Sequence, residues 1–302
     1  MIIYSHLACL AHDTGPEHPE RPARLKAILE TLRRDHADLD WREAPAAKLG
    51  DLLLVHSQAH VETVLEQDFS GYRILDPDTV MCPESRAAAL RAAGAVVAAV
   101  DAVIDGSDPV AFCAVRPPGH HATGEAAMGF CLLNNIAIGA AHALERHGLE
   151  RVAVVDFDVH HGNGTQAIFC HDRRVSYFSS HQSGLYPYSG APSERCAGNV
   201  INALLPPGSG SFHFRNLWED QMLPALEAFS PQLVMISAGF DGHLRDPLAD
   251  LMLETEDFAW LTGRLRQIAQ VHARGRIVSA LEGGYDLQAL RECSTAHVAQ
   301  LR

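Results

Sequence analysis

The sequence predicts an α/β fold built on a parallel sheet, and three observations support this. Apolar runs at residues 110–115, 152–155, 233–237 and 277–281 read as strands buried on both faces. Segments of helical periodicity lie between them, at about residues 133–147, 213–229 and 255–274; Gly148 and Gly275 stop the first and last. Such alternation implies strands joined by helical crossovers, with helices on both faces of the sheet. The third observation is positional: all four runs end in polar clusters, at the strand ends where open parallel sheets bind ligands.

From the N-terminus, Ile2, Ile3 and Tyr4 form a short strand that leads into a polar loop over residues 12–20. Pro22 suits the first turn of a helix reaching about His36. Another helix starts near Ser57. His56 and His60 have the spacing of a metal pair, but the glutamate of H-E-x-x-H is missing and His56 precedes the helix, so both read as packing or capping residues. Residues 68–82 read as a loop carrying Asp76, Pro77 and Asp78. Pro83 then opens a long helix through Leu90, Val97 and Val100, closed by Gly106. Residues 175–179 and 200–205 are further strands, and a helix from Leu287 ends the chain. With no linker, low-complexity tract or internal repeat, residues 1–302 read as one domain.

Composition narrows the function. Apolar residues make up 47% of the chain, ample for one large core. The longest apolar stretch, 92–100, is too short and alanine-rich to cross a membrane, and the N-terminus lacks the pattern of a secretory signal. Seven cysteines without a C-x-x-C fit a reducing cytoplasm rather than a disulfide framework. The net charge of -13 argues against non-specific nucleic-acid binding and is compatible with a cationic substrate. Eighteen histidines direct attention to metal and acid–base chemistry. A homo-oligomer is compatible with the sequence, which sets no oligomeric state.

The densest cluster is RVAVVDFDVHHGNGT, residues 151–165. Asp156, Asp158 and His160 share one face of an extended chain, roughly 7 Å apart. Neighbours in this trio could share one divalent ion, but Asp156 and His160 could do so only if the chain curls. A catalytic zinc with three protein ligands leaves room for one from elsewhere. His161 faces away from His160, so one of the two is structural. Residues 162–167 also match the dinucleotide fingerprint G-x-G-x-x-G/A, yet two carboxylates sit where a pyrophosphate would bind. For the ribose-binding acid, Asp172 is too near and Glu194 too far. Asp158, His160 and, from the cluster after residues 233–237, Asp241 are the expected metal ligands, with Asp156 behind them. His120 and His121 are the expected proton carriers, and Tyr285 a donor to an oxyanion. This set suits metal-assisted hydrolysis of an amide or ester.

R-P-P-G-H-H from Arg116, D-x-D-x-H-H-G-N-G from Asp156, A-G-F-D ending at Asp241 and E-G-G-Y ending at Tyr285, in this order, resemble the zinc-dependent histone deacetylase family. The bacterial deacetylase-like amidohydrolases and the class II enzymes are nearest, and the likeness runs from His18 to Leu287. It implies one arginase-like α/β domain with a mainly parallel eight-stranded sheet. It also implies Zn2+ on Asp158, His160 and Asp241, a site whose donors accept Fe2+ as well. His121 would be the general base, oriented by Asn163; His120, paired with Asp156, would act electrostatically; Tyr285 would polarise the substrate carbonyl. Gly129 and Phe130 would line an acyl-lysine tunnel, with Tyr186 opposite and Leu248 as a gate. A structural K+ would lie near Asp156, Ser179 and Ser180 and the backbone at Asp158 to His160.

Asn163 stands where class I members carry aspartate, which removes a charge beside His121. Tyr285 is retained, unlike the histidine of some weakly active relatives. The implied substrate is an acylated lysine. A small acylated amine such as an acetylpolyamine competes, although polyamine-selective relatives place a carboxylate near the entrance, where Leu248 stands here. The intact set of ligands, histidines and tyrosine argues against a non-catalytic acyl-lysine binder, and the extra carboxylates of a two-metal arginase-like site are missing. Cys131 adjoins the tunnel and reads as an inert buried thiol. The chain stops soon after the Gly-Gly-Tyr loop, where many relatives continue.

Overall fold

The apolar runs become the centre of an eight-stranded sheet in which every pairing is parallel. A computed structural model describes residues 1–66 and 69–302, so Asp68, at the start of the expected 68–82 loop, lies outside the described residues. The sheet strands are β1 (Ile2–Ser5), β2 (Asp40–Glu43), β5 (Val110–Cys113), β6 (Val152–Asp156), β7 (Val175–Gln182), β8 (Val200–Leu205), β9 (Leu233–Ala238) and β10 (Ile277–Leu281). Their order is β2-β1-β5-β10-β9-β6-β7-β8, and β3 (Arg73–Asp76) and β4 (Thr79–Met81) form a separate hairpin.

The connections hold helices α1 (Ala8–Ala11), α2 (Pro22–Asp35), α3 (Leu49–Leu52), α4 (Gln58–Leu65), α5 (Ser85–Asp105) and α6 (Asn135–His147). They continue with α7 (Asn163–Phe169), α8 (Ser211–Leu217), α9 (Leu223–Phe229), α10 (Thr255–His272) and α11 (Leu287–Leu301). Both faces of the sheet are covered. Gly139 of α6 lies against Met235 of β9 and Val96 of α5, whereas Ser279 of β10 bonds His297 of α11. Since Met235 is in register with Val278, these contacts fall on opposite sides. Helix α5 is long and apolar enough to cross a membrane by length and composition, but 67% of its apolar window is buried inside the fold.

The structure departs from the sequence expectations in four places. Asp40–Glu43 is an edge strand; three of its four residues are charged and none is buried, so its sequence carries no strand signal. Most of the expected 68–82 loop folds as the β3–β4 hairpin, turning at Pro77 and Asp78. The 213–229 helix contains a π-turn, Trp218–Met222, immediately before Pro224. Proline has no N–H for the i−4 carbonyl, and the wider turn accommodates that loss. Finally, Cys170 and Cys196 form a disulfide, contrary to the expectation of reduced thiols throughout. Their separation of 26 residues gives no local sign of pairing; folding brings the end of α7 to the 190–199 loop.

Candidate active site

Strands β5, β10, β9 and β6 are consecutive in the sheet, so the four polar clusters meet along one edge. Asp156 ends β6 and the chain then curls. The Asp158 N–H donates to Asp156 Oδ1 (3.2 Å) and the His160 N–H to Asp158 Oδ1 (2.9 Å). Curling achieves what an extended strand cannot: His160 Nδ1 lies 3.1 Å from Asp158 Oδ1 and 3.2 Å from Asp241 Oδ2. Ligand atoms of these three residues all fall within 4.8 Å of one another. The Val159 N–H fixes Asp241 Oδ1 at 2.9 Å, and the Gly283 N–H fixes Asp158 Oδ2 at 2.8 Å. Gly239 and Gly283 are required by this crowding, because a Cβ at either would come within 2.0 Å of a carboxylate oxygen.

Asp158 and Asp241 are 0% and 1% exposed, so their charges cannot be satisfied by water. Burial and the neighbouring Asp158 hold the Asp241 pKa above the usual carboxylate range. Burial alone would depress His160, but its bonds to Asp158 and Asp241 push it up to about 10. The carboxylates thus demand positive charge between them. Two carboxylate oxygens and one imidazole nitrogen, converging on one buried point, fit a divalent ion.

The paired histidines differ sharply. His120 Nδ1 lies 3.0 Å from Asp156 Oδ2, which also accepts the Tyr177 hydroxyl at 2.8 Å. His121 Nδ1 lies 2.8 Å from Asn163 Oδ1, and the two imidazole centroids are 4.1 Å apart. Burial would lower His120, yet Asp156 and Asp158 hold it well above its ordinary value. Burial, then the nearby His120 and His160, hold His121 well below. Adjacent residues therefore provide one cationic and one neutral imidazole.

Aromatic residues surround this centre. The Tyr186 ring is 5.2 Å from His121 and 6.5 Å from His160. Phe130 meets Tyr285 edge-on at 5.9 Å and His18 at 4.8 Å. Phe130 holds a φ of 67°, an uncommon conformation for a bulky residue. The β3–β4 hairpin secures it: the Gly129 N–H donates to Asp78 Oδ1 (3.2 Å) and the Phe130 N–H to Thr79 Oγ1 (3.1 Å). A groove of about 540 Å³ beside Phe130 passes His18, Glu17 and Asp78. The Tyr285 N–H donates to Asp246 Oδ2 (2.7 Å), and the Arg24 guanidinium lies 4.8 Å from its ring centroid. Burial outweighs Arg24 and, with the carboxylates of Asp241 and Asp158, raises the phenol well above its usual pKa. Leu248, half-buried in the loop after Asp241, donates its N–H to Asp246 Oδ1 at 3.0 Å.

Other expectations resolve individually. His161 is the structural member of its pair, bonded to Ser189 and Gln166 at 2.8 Å each. His56 and His60 bond the backbone of Thr123, Asn134 and Leu132, the packing role expected of them. Residues 162–167 open α7, but a Cβ at Gly162 would lie 2.3 Å from Asp156 Oδ2, so a carboxylate already crowds that end. Ser179 aligns with Asp156 across β6 and β7, whereas the Ser180 hydroxyl accepts the Trp218 indole N–H at 3.1 Å. Cys131 is buried, which raises its thiol well above the ordinary range.

A supporting layer escaped the sequence reading. Buried Glu20 pairs with Arg116 and, at 2.9 Å, with Arg24 Nη1. Arg24 Nη2 donates to the Glu282 carbonyl at 2.6 Å, fastening the Gly-Gly-Tyr loop. The Glu282 carboxylate accepts the N–H groups of Gly119 (2.7 Å) and His120 (3.1 Å), linking the first and fourth clusters. Burial pushes its pKa up to about 7. Charged residues set among the prolines and glycines of R-P-P-G and E-G-G-Y were the available signal.

Fold and site together define a hydrolase class with a buried Asp-His-Asp centre beside paired imidazoles. Residues 18–301 match the histone deacetylase domain. The histone deacetylase-like amidohydrolase of Pseudomonas aeruginosa is 41% identical over 290 residues, covering 94% of this chain and 76% of that protein. A probable deacetylase of Methanothermobacter thermautotrophicus is 41% identical over 310 residues, covering 100% and 90%. The crystal structure of the HDA15 HD domain superposes with a TM-score of 0.94 at 33% identity, covering 99% of this chain and 87% of that one. The chain belongs to the histone deacetylase family and is a hydrolytic enzyme.

Proposed function

We propose that this enzyme hydrolyses the amide bond of N-acyl-lysine, with zinc held by Asp158, His160 and Asp241. One observation carries the reading: these three donors converge beside two paired imidazoles, His120 bonded to Asp156 and His121 bonded to Asn163. When bound, the ion supplies Lewis acidity, polarising the carbonyl and making water a better nucleophile near neutral pH. Ferrous iron suits the same donors.

His121 donates from Nδ1 to Asn163, which leaves Nε2 free to take the proton of the attacking water. The same nitrogen then protonates the leaving amine. His120, charged against Asp156, stabilises negative charge as it develops, and the Tyr285 hydroxyl donates to the carbonyl oxygen. Gly129, Phe130 and Tyr186 enclose the aliphatic stem of the substrate, with Leu248 at the rim. Asp156, Ser179, Ser180 and the backbone from Asp158 to His160 would hold a K+, whose charge would stiffen the ligand-bearing turn. The alignment of Asp156 with Ser179 supports this placement.

The carboxylates of Glu17 and Asp78 along the groove favour a cationic substrate flank, and on that ground an acetylpolyamine is a second reading. A competition panel of acetyl-lysine peptides, longer acyl-lysines and acetylated polyamines, run on metal-analysed protein, tests both. We expect the highest kcat/KM on an acyl-lysine peptide, lost on chelation. Preference for a polyamine would replace the substrate, and absence of amide turnover would overturn the reading.

A further inference from the structure

Away from the active site, a second set of histidines and carboxylates converges. Asp101 lies on α5 and His142 and His147 on α6, and their ligand atoms fall within 4.8 Å of one another. Nε2 of both His142 and His147 lies 2.7 Å from Asp101 Oδ1. Behind His142, Nδ1 lies 3.2 Å from Oδ1 of Asp51, a buried residue of α3.

Hydrogen bonds alone satisfy this arrangement only with protons on both nitrogens of His142, a cation set between two carboxylates. A neutral His142 has one N–H to offer two carboxylates, so one of its nitrogens would present a lone pair to a carboxylate oxygen. A metal ion removes the conflict: His142 Nε2 binds it while Nδ1–H donates to Asp51, the carboxylate–histidine–metal relay that orients ligating imidazoles. His147 at the end of α6 would otherwise project from a helix terminus, yet its ring turns in to the oxygen that His142 already faces. An ion with bonds of about 2.0–2.1 Å needs its donors about 3.3 Å apart, so the cluster must widen by roughly 0.6 Å. The Asp101 side chain is 47% exposed and free to swing by that amount. A cleft of about 670 Å³ borders the cluster, with Lys48 and Arg146 also on its wall.

We infer that Asp101, His142 and His147 form a second metal site, for a divalent transition metal of the zinc type, with Asp51 orienting His142. On the cleft side it would take water or a small anion, to which Lys48 and Arg146 add positive charge. The site ties α3, α5 and α6 together and stands independently of the function proposed above.

Equilibrium dialysis of the full chain against zinc, followed by metal analysis and an acetyl-lysine assay, tests it. Wild type should hold two equivalents. His147→Ala and the milder His147→Gln should hold one and keep wild-type turnover, which also shows that they fold. Asp241→Ala should hold one equivalent and lose turnover, and adding His147→Ala to it should leave none. A wild-type protein holding one equivalent that Asp241→Ala removes would overturn the inference. One equivalent that His147→Ala removes would instead support this site and count against a metal at the active centre.

Discussion

Two His–Asp clusters in this chain are held in opposite ways. At the strand ends, Asp158 and Asp241 are gripped by the backbone N–H groups of His160, Gly283 and Val159, and water is excluded. On the helical flank, Asp101 is met by two imidazoles across separations of 41 and 46 residues and stays half exposed. Backbone grip gives a preorganised geometry that does not have to be assembled when a ligand arrives. Side-chain grip allows adjustment. The first arrangement suits catalysis and the second a stabilising ion.

The largest expected effect separates the clusters outright. Asp158→Ala or Asp241→Ala should reduce amide hydrolysis to background while leaving the distal cluster intact, as metal analysis of the same samples will show. His121→Ala should lower kcat by about 10²–10⁴-fold, the usual contribution of a general base. Tyr285→Phe should lose about 10²–10³-fold in kcat, as for removal of one oxyanion donor, with substrate affinity by titration little changed. Tyr177→Phe, which removes a hydroxyl from behind Asp156, should cost about 10–100-fold, whereas His147→Ala should leave the rate unchanged.

The smallest effect concerns a histidine that faces hydroxyls instead of carboxylates. His297 is wholly buried against Thr262 and Ser279, and burial lowers its pKa to about 3 from 6.5. Between those values the unfolded chain binds a proton that the folded chain refuses, so stability falls as pH drops below 6.5. The loss is about 2 kcal/mol by pH 5. Burial lowers His12, His56 and His181 in the same way, so melting temperature against pH should show their combined slope, and His297→Gln should make it shallower by one histidine's share.

These contrasts also explain what the sequence could reveal. Asp158 and His160 are two residues apart at the end of an apolar run, and Asp241 follows another such run; topology alone predicts that they meet. Which oxygens converge depended on the curl after β6, which periodicity does not encode. Asp101, His142 and His147 each read as an ordinary helix residue, because a contact across 41 or 46 residues leaves no local pattern. The same holds for Glu20 with Arg116, 96 residues apart, and for Cys170 with Cys196. The β3–β4 hairpin was hidden for another reason: its turn chemistry made the whole stretch look like loop, although it pins Gly129 and Phe130.

Acetyl-lysine hydrolysis followed while zinc is titrated into chelated protein tests the central claim most directly. The metal-free enzyme should be inactive, with zinc restoring wild type and His147→Ala to the same rate and never restoring Asp241→Ala. Full turnover by the metal-free protein, or rescue of Asp241→Ala to the wild-type rate, would contradict the assignment of Asp158, His160 and Asp241 as the catalytic metal centre.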